Sequence, residues 1–123
     1  VCHDYLDDMA SAWGAADLAV ARCGAGTVAE IWASRVPAIL LPYPYHRDQH
    51  QALNAEPLSR ANAAIVHTDL VDPEQNAAHA GKTLIELLGD APARQRMHSA
   101  FASLGPTDGA RTVAERLIPL LRA

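Results

Sequence analysis

The chain has 123 residues, which is enough for one domain with a single modest hydrophobic core. Half of the residues are hydrophobic, a fifth are charged, and the formal net charge is −4. This acidic balance excludes a basic surface for general nucleic-acid binding, so we predict no nucleic-acid partner. No apolar run approaches the roughly 20 residues that cross a bilayer, and the first residues do not resemble a signal peptide.

The cysteines and the first residues bear on the origin of the chain. Cys2 and Cys23 are too few for a disulfide framework, and we expect two buried or half-buried thiols in a reducing cytosol. The opening Val1-Cys2-His3-Asp4-Tyr5 has neither an initiator Met nor a helix-capping signal. We therefore expect residues 1–123 to be a single domain cut from a longer protein.

Short apolar runs alternate with helical periodicity along the chain. The predicted elements, in order, are a strand remnant over 1–6, a helix over 7–13, a strand over 18–21, a helix from 27 to 36, a strand over 38–41, a helix over 48–60, a strand over 63–66, and helices over 73–89, 93–104 and 110–121. Continuous apolar strands are typical of parallel sheets that are buried on both faces. The order predicts an α/β domain with a Rossmann-like, three-layer parallel sheet flanked by helices.

Proline and capping signals refine the predicted helices. Pro57 is expected to kink its helix or end it early. Asp72, Pro73 and Gln75 mark the start of the next helix. The buried stripe of that helix is predicted to consist of Ala77, Ala80, Leu84, Leu87 and Leu88.

A glycine-bearing turn, residues 22–27, joins the strand over 18–21 to the next helix. Backbone N–H groups at such a turn, together with the helix dipole, attract anionic groups such as a diphosphate. A Gly-x-Gly pattern alone is a weak signal, and a tight turn without any ligand also accounts for it. Thr27 can cap the helix with Glu30 completing a capping box, or the Glu30 carboxylate can accept both hydroxyls of a ribose. The spacing alone does not choose between these roles.

A second polar stretch follows the strand over 38–41, and in a parallel sheet it would lie at the same edge as the glycine-bearing turn. It contains a group of neutral hydrogen-bonding side chains, Gln49, His50, Gln51 and Asn54. Such groups suit the hydroxyls of a sugar, although a solvated helix face is the alternative. His46, Asp48 and His50 have a spacing that invites a metal ion, but no further ligand is specified. We predict no metal site and no cofactor.

Three sequence blocks resemble the C-terminal domain of the MurG family of glycosyltransferases, which belongs to glycosyltransferase family 28. They are Arg-x-Gly-Ala-x-Thr-Val-x-Glu-Ile over 22–31, Pro-Ala-Ile-Leu-Leu-Pro-Tyr-Pro over 37–44, and Asp-x-His-Gln-x-x-Asn-Ala over 48–55. With Asp7-Asp8-Met9 and Ala16-Asp17-Leu18, the resemblance extends from about Tyr5 to Ala63. It implies the C-terminal half of a GT-B enzyme, in which two Rossmann-like domains enclose the active site.

The resemblance also implies a set of substrate-binding residues for UDP-N-acetylglucosamine. Tyr5 would stack on the uracil, and Leu6 would offer backbone hydrogen bonds to its edge. The diphosphate would be bound by residues of the glycine-bearing turn that follow Arg22, namely Gly24, Ala25, Gly26 and Thr27. Glu30 would bind the ribose hydroxyls. The residues implied to face the N-acetylglucosamine are His50, Gln51 and Asn54. Cys23 departs from the family pattern, which usually has Ala or Ser there.

For the full-length enzyme, the resemblance implies inverting transfer of N-acetylglucosamine to lipid I, which gives lipid II in peptidoglycan synthesis. The catalytic base and the contacts to the undecaprenyl-linked acceptor would lie in an N-terminal domain that has no counterpart here. This chain would therefore hold no catalytic residue and would be inactive alone. The enzyme would be cytoplasmic and peripheral to the inner face of the bacterial plasma membrane, and it would need no metal.

Other functions fit parts of the same pattern. A transferase acting on another lipid or on an antibiotic aglycone would share the fold, and so would an epimerase of UDP-N-acetylglucosamine with its own acid/base carboxylates. A non-catalytic nucleotide-binding module is a second class. A purely structural α/β domain is a third, in which Glu30 only caps its helix. The cluster from Asp48 to Asn54 argues against this third class, because its polar side chains have no evident packing role.

Overall fold

The computed structural model describes residues 1–45 and 48–121. Three short parallel strands form its sheet in the order β1-β2-β3, and they are β1 (Ala19–Ala21), β2 (Ala38–Leu40) and β3 (Ala64–Val66). Ala19 pairs with Ala38, and Ala38 pairs in turn with Ala64. The predicted α/β class with a parallel sheet is confirmed.

Six α-helices surround this sheet in the described residues. They are α1 (Met9–Ala15), α2 (Ala25–Ser34), α3 (His50–Arg60), α4 (Pro73–Gly89), α5 (Ala91–Ala100) and α6 (Gly109–Leu117), with 3-10 turns at Phe101–Leu104 and Ile118–Leu121. Within the described part of the chain, none of the helices combines the length and the apolar character that crossing a bilayer requires.

Successive side chains of β2 point to opposite faces and so divide the core in two. Ala38 and Leu40 lie in a buried cluster with residues of α2 and α3, together with Phe101. Ile39 lies in a second cluster with residues of α4 and α5. The helices therefore form one layer on each face of the sheet, which is the predicted three-layer arrangement.

Helix α2 is held on the sheet by its apolar side chains. Val28 and Ile31 lie three residues apart on one face of the helix and are buried, and Trp32 beside them is half-buried. Burying each contributes about 1.5–3 kcal/mol relative to exposure. The helix ends at Arg35, whose left-handed backbone (φ 56°) sends the chain back to β2.

The strand predictions need two corrections. Residues 1–6 form no strand in the described structure, since they are exposed and make no pairing with β1. β1 and β3 are not buried on both faces as expected: the side chain of Val20 is 51% exposed, and Ile65 and Val66 are also exposed. Both strands are edges of this three-stranded sheet, so no neighbouring strand covers their outer sides. β2, the central strand, is fully buried as predicted.

Helix α3 ends at Arg60 as predicted, but it starts later than predicted and does not end early at Pro57. It begins at His50 after Gln49, which has a left-handed backbone (φ 48°), and not at Asp48. Pro57 lies inside the helix, which nevertheless runs on to Arg60. Pro57 has no N–H to donate to the carbonyl of Leu53, a residue that is itself 62% exposed.

Helix α4 confirms its predicted start but buries a narrower stripe. The Asp72 carboxylate accepts from the Gln75 N–H (2.8 Å), and Pro73 is the first helical residue. Ala80 and Leu87 are buried and Leu84 is half-buried, whereas Ala77 and Leu88 are exposed, contrary to the prediction. A sheet of three short strands covers only part of a helix of 17 residues.

The segment predicted as one helix over 93–104 is α5 followed by a 3-10 turn. α5 begins at Ala91, where the Asp90 carboxylate accepts from the Ala93 N–H (2.8 Å). The chain tightens at Phe101, whose ring is buried in the cluster with α2 and α3. Gly105 then adopts a left-handed φ of 77°, which favours glycine.

Candidate functional site

The carboxyl ends of the three parallel strands lie at one edge of the sheet, which we call the carboxyl edge. It carries the glycine-bearing turn after β1, the described loop residues 41–45 and 48–49 after β2, and the loop over 67–72 after β3. Ligands of open parallel sheets bind at such edges. The structure thus brings the two polar stretches of the sequence to the same edge, as predicted.

The glycine-bearing turn leaves the start of α2 open. Gly24 is the N-cap of α2 and provides no side chain to accept from the first N–H groups, so these groups are available to an anion. The predicted capping box is therefore wrong. Thr27 already lies inside the helix, because the backbone turns helical from Ala25 onward, and the Val28 N–H bonds to the Gly24 carbonyl (3.0 Å).

The two glycines are not required by packing. Neither has a positive φ, and a Cβ on Gly26 would meet no described atom within 4 Å beyond its own helical turn. A Cβ on Gly24 would meet only Thr27 Oγ1, at 3.9 Å. Glycine in a helix costs about 0.5–1 kcal/mol relative to alanine. The glycines therefore lower the stability of the fold somewhat and leave open space in front of the first turn of α2.

Glu30 makes a contact that the sequence did not reveal. Its Oε2 accepts a hydrogen bond from Trp13 Nε1 of α1 at 2.9 Å. Trp13 is half-buried and packs against the core cluster under α2. Glu30 itself is exposed and lines a groove of about 470 Å³ between the outer face of α2 and the segment before α6. Since Glu30 does not cap α2, its carboxylate remains accessible from solvent.

Arg22, at the end of β1, is fixed by two loops of the carboxyl edge. Its guanidinium forms an ion pair with Asp69, donates to the Leu41 carbonyl at 3.5 Å, and lies 5.5 Å from the ring centroid of Tyr43. About half of the Arg22 side chain stays exposed. Arg22 therefore presents a positive charge near the start of α2, and its ion pair with Asp69 orients the guanidinium.

Asp69 is the residue of this edge that the sequence analysis missed. It is 2% exposed, and its Oδ1 accepts from the Val71 N–H (2.8 Å) and from Asn76 Nδ2 (2.7 Å), while Oδ2 faces Arg22. The available signal was an acidic residue shortly after β3, at the same edge as Arg22. A buried carboxylate needs such partners to offset its desolvation.

Gln51 and Asn54 both have structural contacts. Asn54 Nδ2 donates to the Cys23 carbonyl (3.0 Å), and Gln51 Oε1 accepts from the Tyr43 N–H (2.8 Å). These bonds tie α3 to the glycine-bearing turn and to the loop after β2. The argument that these side chains lack a packing role is therefore wrong. Neither bond involves Asn54 Oδ1 or Gln51 Nε2.

His50 pairs with Asp48 at the start of α3. Its Nδ1 lies 2.8 Å from Asp48 Oδ1, which also accepts from the His50 N–H at 3.3 Å. The hydrogen bond from the His50 side chain, followed by that from its N–H, lowers the pKa of the exposed Asp48 carboxyl. His46 lies outside the described residues, and among those described no group of three or more His, Cys, Asp or Glu is arranged to hold a metal ion.

Cys23 is fully buried under the turn, and burial raises the pKa of its thiol to about 11, although the nearby Arg22 charge lowers it slightly. The side chain therefore acts as a small apolar group, in keeping with the Ala or Ser expected there. Cys2 is exposed, so the expectation of a buried or half-buried thiol is wrong for that residue.

Tyr5 and Leu6 lie in the irregular segment before α1. Tyr5 is 80% exposed and Leu6 is 42% exposed. The chain then enters α1, where the Asp8 carboxylate accepts from the Ser11 N–H (3.0 Å) and hydroxyl (2.6 Å), which lowers the pKa of Asp8. The side chains of Tyr5 and Leu6 are thus both accessible to solvent.

Comparisons with known proteins identify the family of the chain. The sequence model of the glycosyltransferase family 28 C-terminal domain matches residues 1–113. An enzyme of Alkalilimnicola ehrlichii is 44% identical over 110 residues, which are 89% of this chain and 30% of that protein. One of Sorangium cellulosum is 42% identical over 120 residues, or 97% of this chain and 29% of that protein. Both carry the name UDP-N-acetylglucosamine–N-acetylmuramyl-(pentapeptide) pyrophosphoryl-undecaprenol N-acetylglucosamine transferase.

Among solved structures, MurG of Acinetobacter baumannii superposes with a TM-score of 0.72 at 27% identity, and the match covers 89% of this chain and 31% of that one. The chain thus spans about three tenths of the length of the curated relatives it matches. The family predicted from the three sequence blocks is confirmed: the chain belongs to the glycosyltransferase family 28 C-terminal domain family.

Proposed function

We propose that this chain is the domain that binds the UDP-N-acetylglucosamine donor in a two-domain GT-B glycosyltransferase. The observation that carries the proposal is the uncapped start of α2, where Gly24 and Gly26 leave space that the packing does not fill. A diphosphate suits that space, because the first N–H groups of a helix and its dipole favour negative charge. The names of the full-length relatives supply the identity of the sugar nucleotide.

Each part of the donor would contact residues that the family resemblance implies. The diphosphate would accept hydrogen bonds from the backbone at Gly24, Ala25, Gly26 and Thr27, with the Arg22 charge beside it. Glu30 lies five residues beyond the first residue of α2, about 7.5 Å along the axis, and its carboxylate would accept from the ribose hydroxyls. Tyr5 and the Leu6 backbone would contact the uracil.

The N-acetylglucosamine would face the first turn of α3. His50 and Gln51 lie there, and Asn54 follows in the next turn; Gln51 and Asn54 each use one end of the amide to hold the neighbouring loop and the glycine-bearing turn. The other amide ends would serve the sugar hydroxyls, which need both donors and acceptors. These residues would thus have a structural and a binding role at once.

In the reaction of the full-length protein, an acceptor hydroxyl would attack the anomeric carbon. The bond from that carbon to the diphosphate oxygen would break, with inversion, and UDP would leave. Negative charge grows on the diphosphate as this bond breaks, so the N-terminus of α2 would stabilise the transition state more than the bound donor. The base that removes the hydroxyl proton would come from outside this chain, which alone would bind the donor without transferring the sugar.

The proposed activity of the whole protein is transfer of N-acetylglucosamine to lipid I, the undecaprenyl-linked acceptor, in peptidoglycan synthesis. The names of the relatives support this, since they combine the donor sugar with a pyrophosphoryl-undecaprenol acceptor. The full-length enzyme would act in the cytoplasm at the inner face of the plasma membrane, where such an acceptor is accessible.

The test is calorimetric titration of the 123-residue chain with UDP-N-acetylglucosamine, UDP and NAD. We expect binding of both uridine nucleotides, no binding of NAD, and at least about tenfold weaker UDP binding by a folded Glu30→Ala variant. Equal affinity for NAD, or an unchanged Glu30→Ala affinity, would refute the assignment of the site. A folded chain that binds neither uridine nucleotide at millimolar concentration would favour the structural alternative.

A further inference from the structure

We propose that Trp13 is a positioning residue, which orients the Glu30 carboxylate for the ribose of the donor. This inference rests on the proposed function, and it adds a residue that neither the sequence blocks nor the names of the relatives assign. Trp13 would not touch the nucleotide. It would act through its hydrogen bond to Glu30, and so it would control how well the site recognises the ribose hydroxyls.

The hydrogen bond from Trp13 restricts the orientation of the Glu30 carboxylate. The Nε1–Oε2 distance is 2.9 Å, and the bond joins two different helices, α1 and α2. The indole is half-buried against the core, so the donor comes from a side chain with little freedom. The acceptor is an exposed glutamate, which in the absence of a partner would sample several rotamers.

The hydrogen-bond count leaves room for a ligand. An ionised carboxylate offers about four acceptor positions, and the indole N–H uses one of them. The remaining positions suffice for the two hydroxyls of a ribose. Indole is a donor only, so it occupies one acceptor position of the carboxylate and offers the hydroxyls no competing acceptor. The contact therefore fixes the carboxylate without blocking it.

Trp32 provides a matched control on the same helix as Glu30. Its indole Nε1 is buried and has no hydrogen-bond partner among the described residues. Replacing either tryptophan by phenylalanine keeps an aromatic ring and removes one N–H. The two changes differ in one respect that matters here, because only Trp13→Phe takes a donor away from Glu30.

The experiment compares the affinities of the 123-residue chain for UDP and for 2′-deoxy-UDP, measured by calorimetry. For the wild-type chain we expect clear preference for UDP. Trp13→Phe should weaken UDP binding by about three- to tenfold, which corresponds to the net contribution of one ordinary hydrogen bond. It should weaken 2′-deoxy-UDP binding less, so the preference shrinks. Trp32→Phe should leave the preference unchanged, and circular dichroism checks that each variant is folded.

A double-mutant comparison tests whether Trp13 affects UDP affinity through Glu30. If Trp13 acts through Glu30, adding Trp13→Phe to Glu30→Ala should change UDP affinity no further. Equal losses for UDP and 2′-deoxy-UDP, or additive losses in the double variant, would overturn the inference while leaving the donor site intact. A wild-type chain that fails to bind UDP would overturn the proposed function and this inference with it.

A measurement on the wild-type chain covers the case in which Trp13→Phe fails to fold. The indole N–H signal of Trp13, assigned with the Trp32→Phe variant, should shift in the NMR spectrum when UDP is added. It should shift less with 2′-deoxy-UDP, which lacks one of the hydroxyls. An indole signal that does not respond to bound UDP would overturn the inference.

Discussion

Replacing Gly26 by alanine should separate the stability of the fold from the binding of the ligand. Gly26 is the second residue of α2, its φ is not positive, and a Cβ there would meet no described atom within 4 Å beyond its own turn. With no clash to subtract, alanine should stabilise the chain by up to about 1 kcal/mol through its helix preference. For a domain of this size, that raises the melting temperature by about 2–6 °C.

The same methyl group should weaken binding of a diphosphate. It would occupy space beside the N–H groups that open α2, where phosphate oxygens would approach to about 2.9 Å. We expect UDP affinity to fall at least about tenfold, which corresponds to about 1.4 kcal/mol. Thermal unfolding and calorimetric titration with UDP measure the two effects on one protein sample.

Gly81→Ala is the control for this experiment. Gly81 lies inside α4, on the other face of the sheet, and its Cβ would sit at an ordinary 3.8 Å from the Ala77 Cβ. This variant should gain similar stability and bind UDP as the wild type does. If Gly26→Ala binds UDP with unchanged affinity, the diphosphate does not lie on this turn. If it lowers the melting temperature, our description of the start of α2 is wrong.

Three further predictions concern the core and the carboxyl edge. Asp69→Ala should destabilise the chain by about 1–3 kcal/mol in urea unfolding, because the Val71 N–H and the Asn76 amide lose their acceptor and the half-exposed Arg22 loses its ion-pair partner; an unchanged urea midpoint would contradict this network. Leu58→Ala, at a fully buried site, should cost about 2–5 kcal/mol by the same assay, and an unchanged urea midpoint would contradict its burial. Cys23 should make stability fall between pH 9 and 11, because burial raises the pKa of its thiol from 9.0 to about 11 and the unfolded chain releases that proton first. This contribution is fully present below pH 9 and amounts to at most about 3 kcal/mol. Cys23→Ala should therefore lose less stability than the wild type between pH 9 and 11. If the unfolding free energies of the two proteins, measured in urea, fall equally with pH over this range, the prediction is refuted.

The sequence predicted the elements well where a local signal decides them. Asp72 and Pro73 start α4 because a carboxylate and a fixed φ suit the first turn of any helix. The apolar run of β2 predicts full burial, since β2 is the central strand and has neighbours on both sides. The exposure of Val20 depends on β1 being an edge, which no local pattern encodes.

In the candidate site, too, the features set by local sequence could be predicted and those set by tertiary contacts could not. The glycine-bearing turn and its family were readable from consecutive residues, whereas Asp69 and Trp13 reach Arg22 and Glu30 only through the tertiary fold. The capping box failed because the backbone became helical two residues before Thr27, which left the Glu30 carboxylate to the indole of α1. The structural role of Asn54 could not be predicted, because its bond to the Cys23 carbonyl spans 31 residues of sequence.

Amide NMR mapping of UDP-N-acetylglucosamine binding to the 123-residue chain tests the central claim most directly. The account predicts that UDP shifts the amide signals of Leu6 and of residues 24–30. The sugar nucleotide should in addition shift those of His50, Gln51 and Asn54. Shifts confined to the opposite edge of the sheet, or spread evenly over the surface, would contradict a donor site at the start of α2.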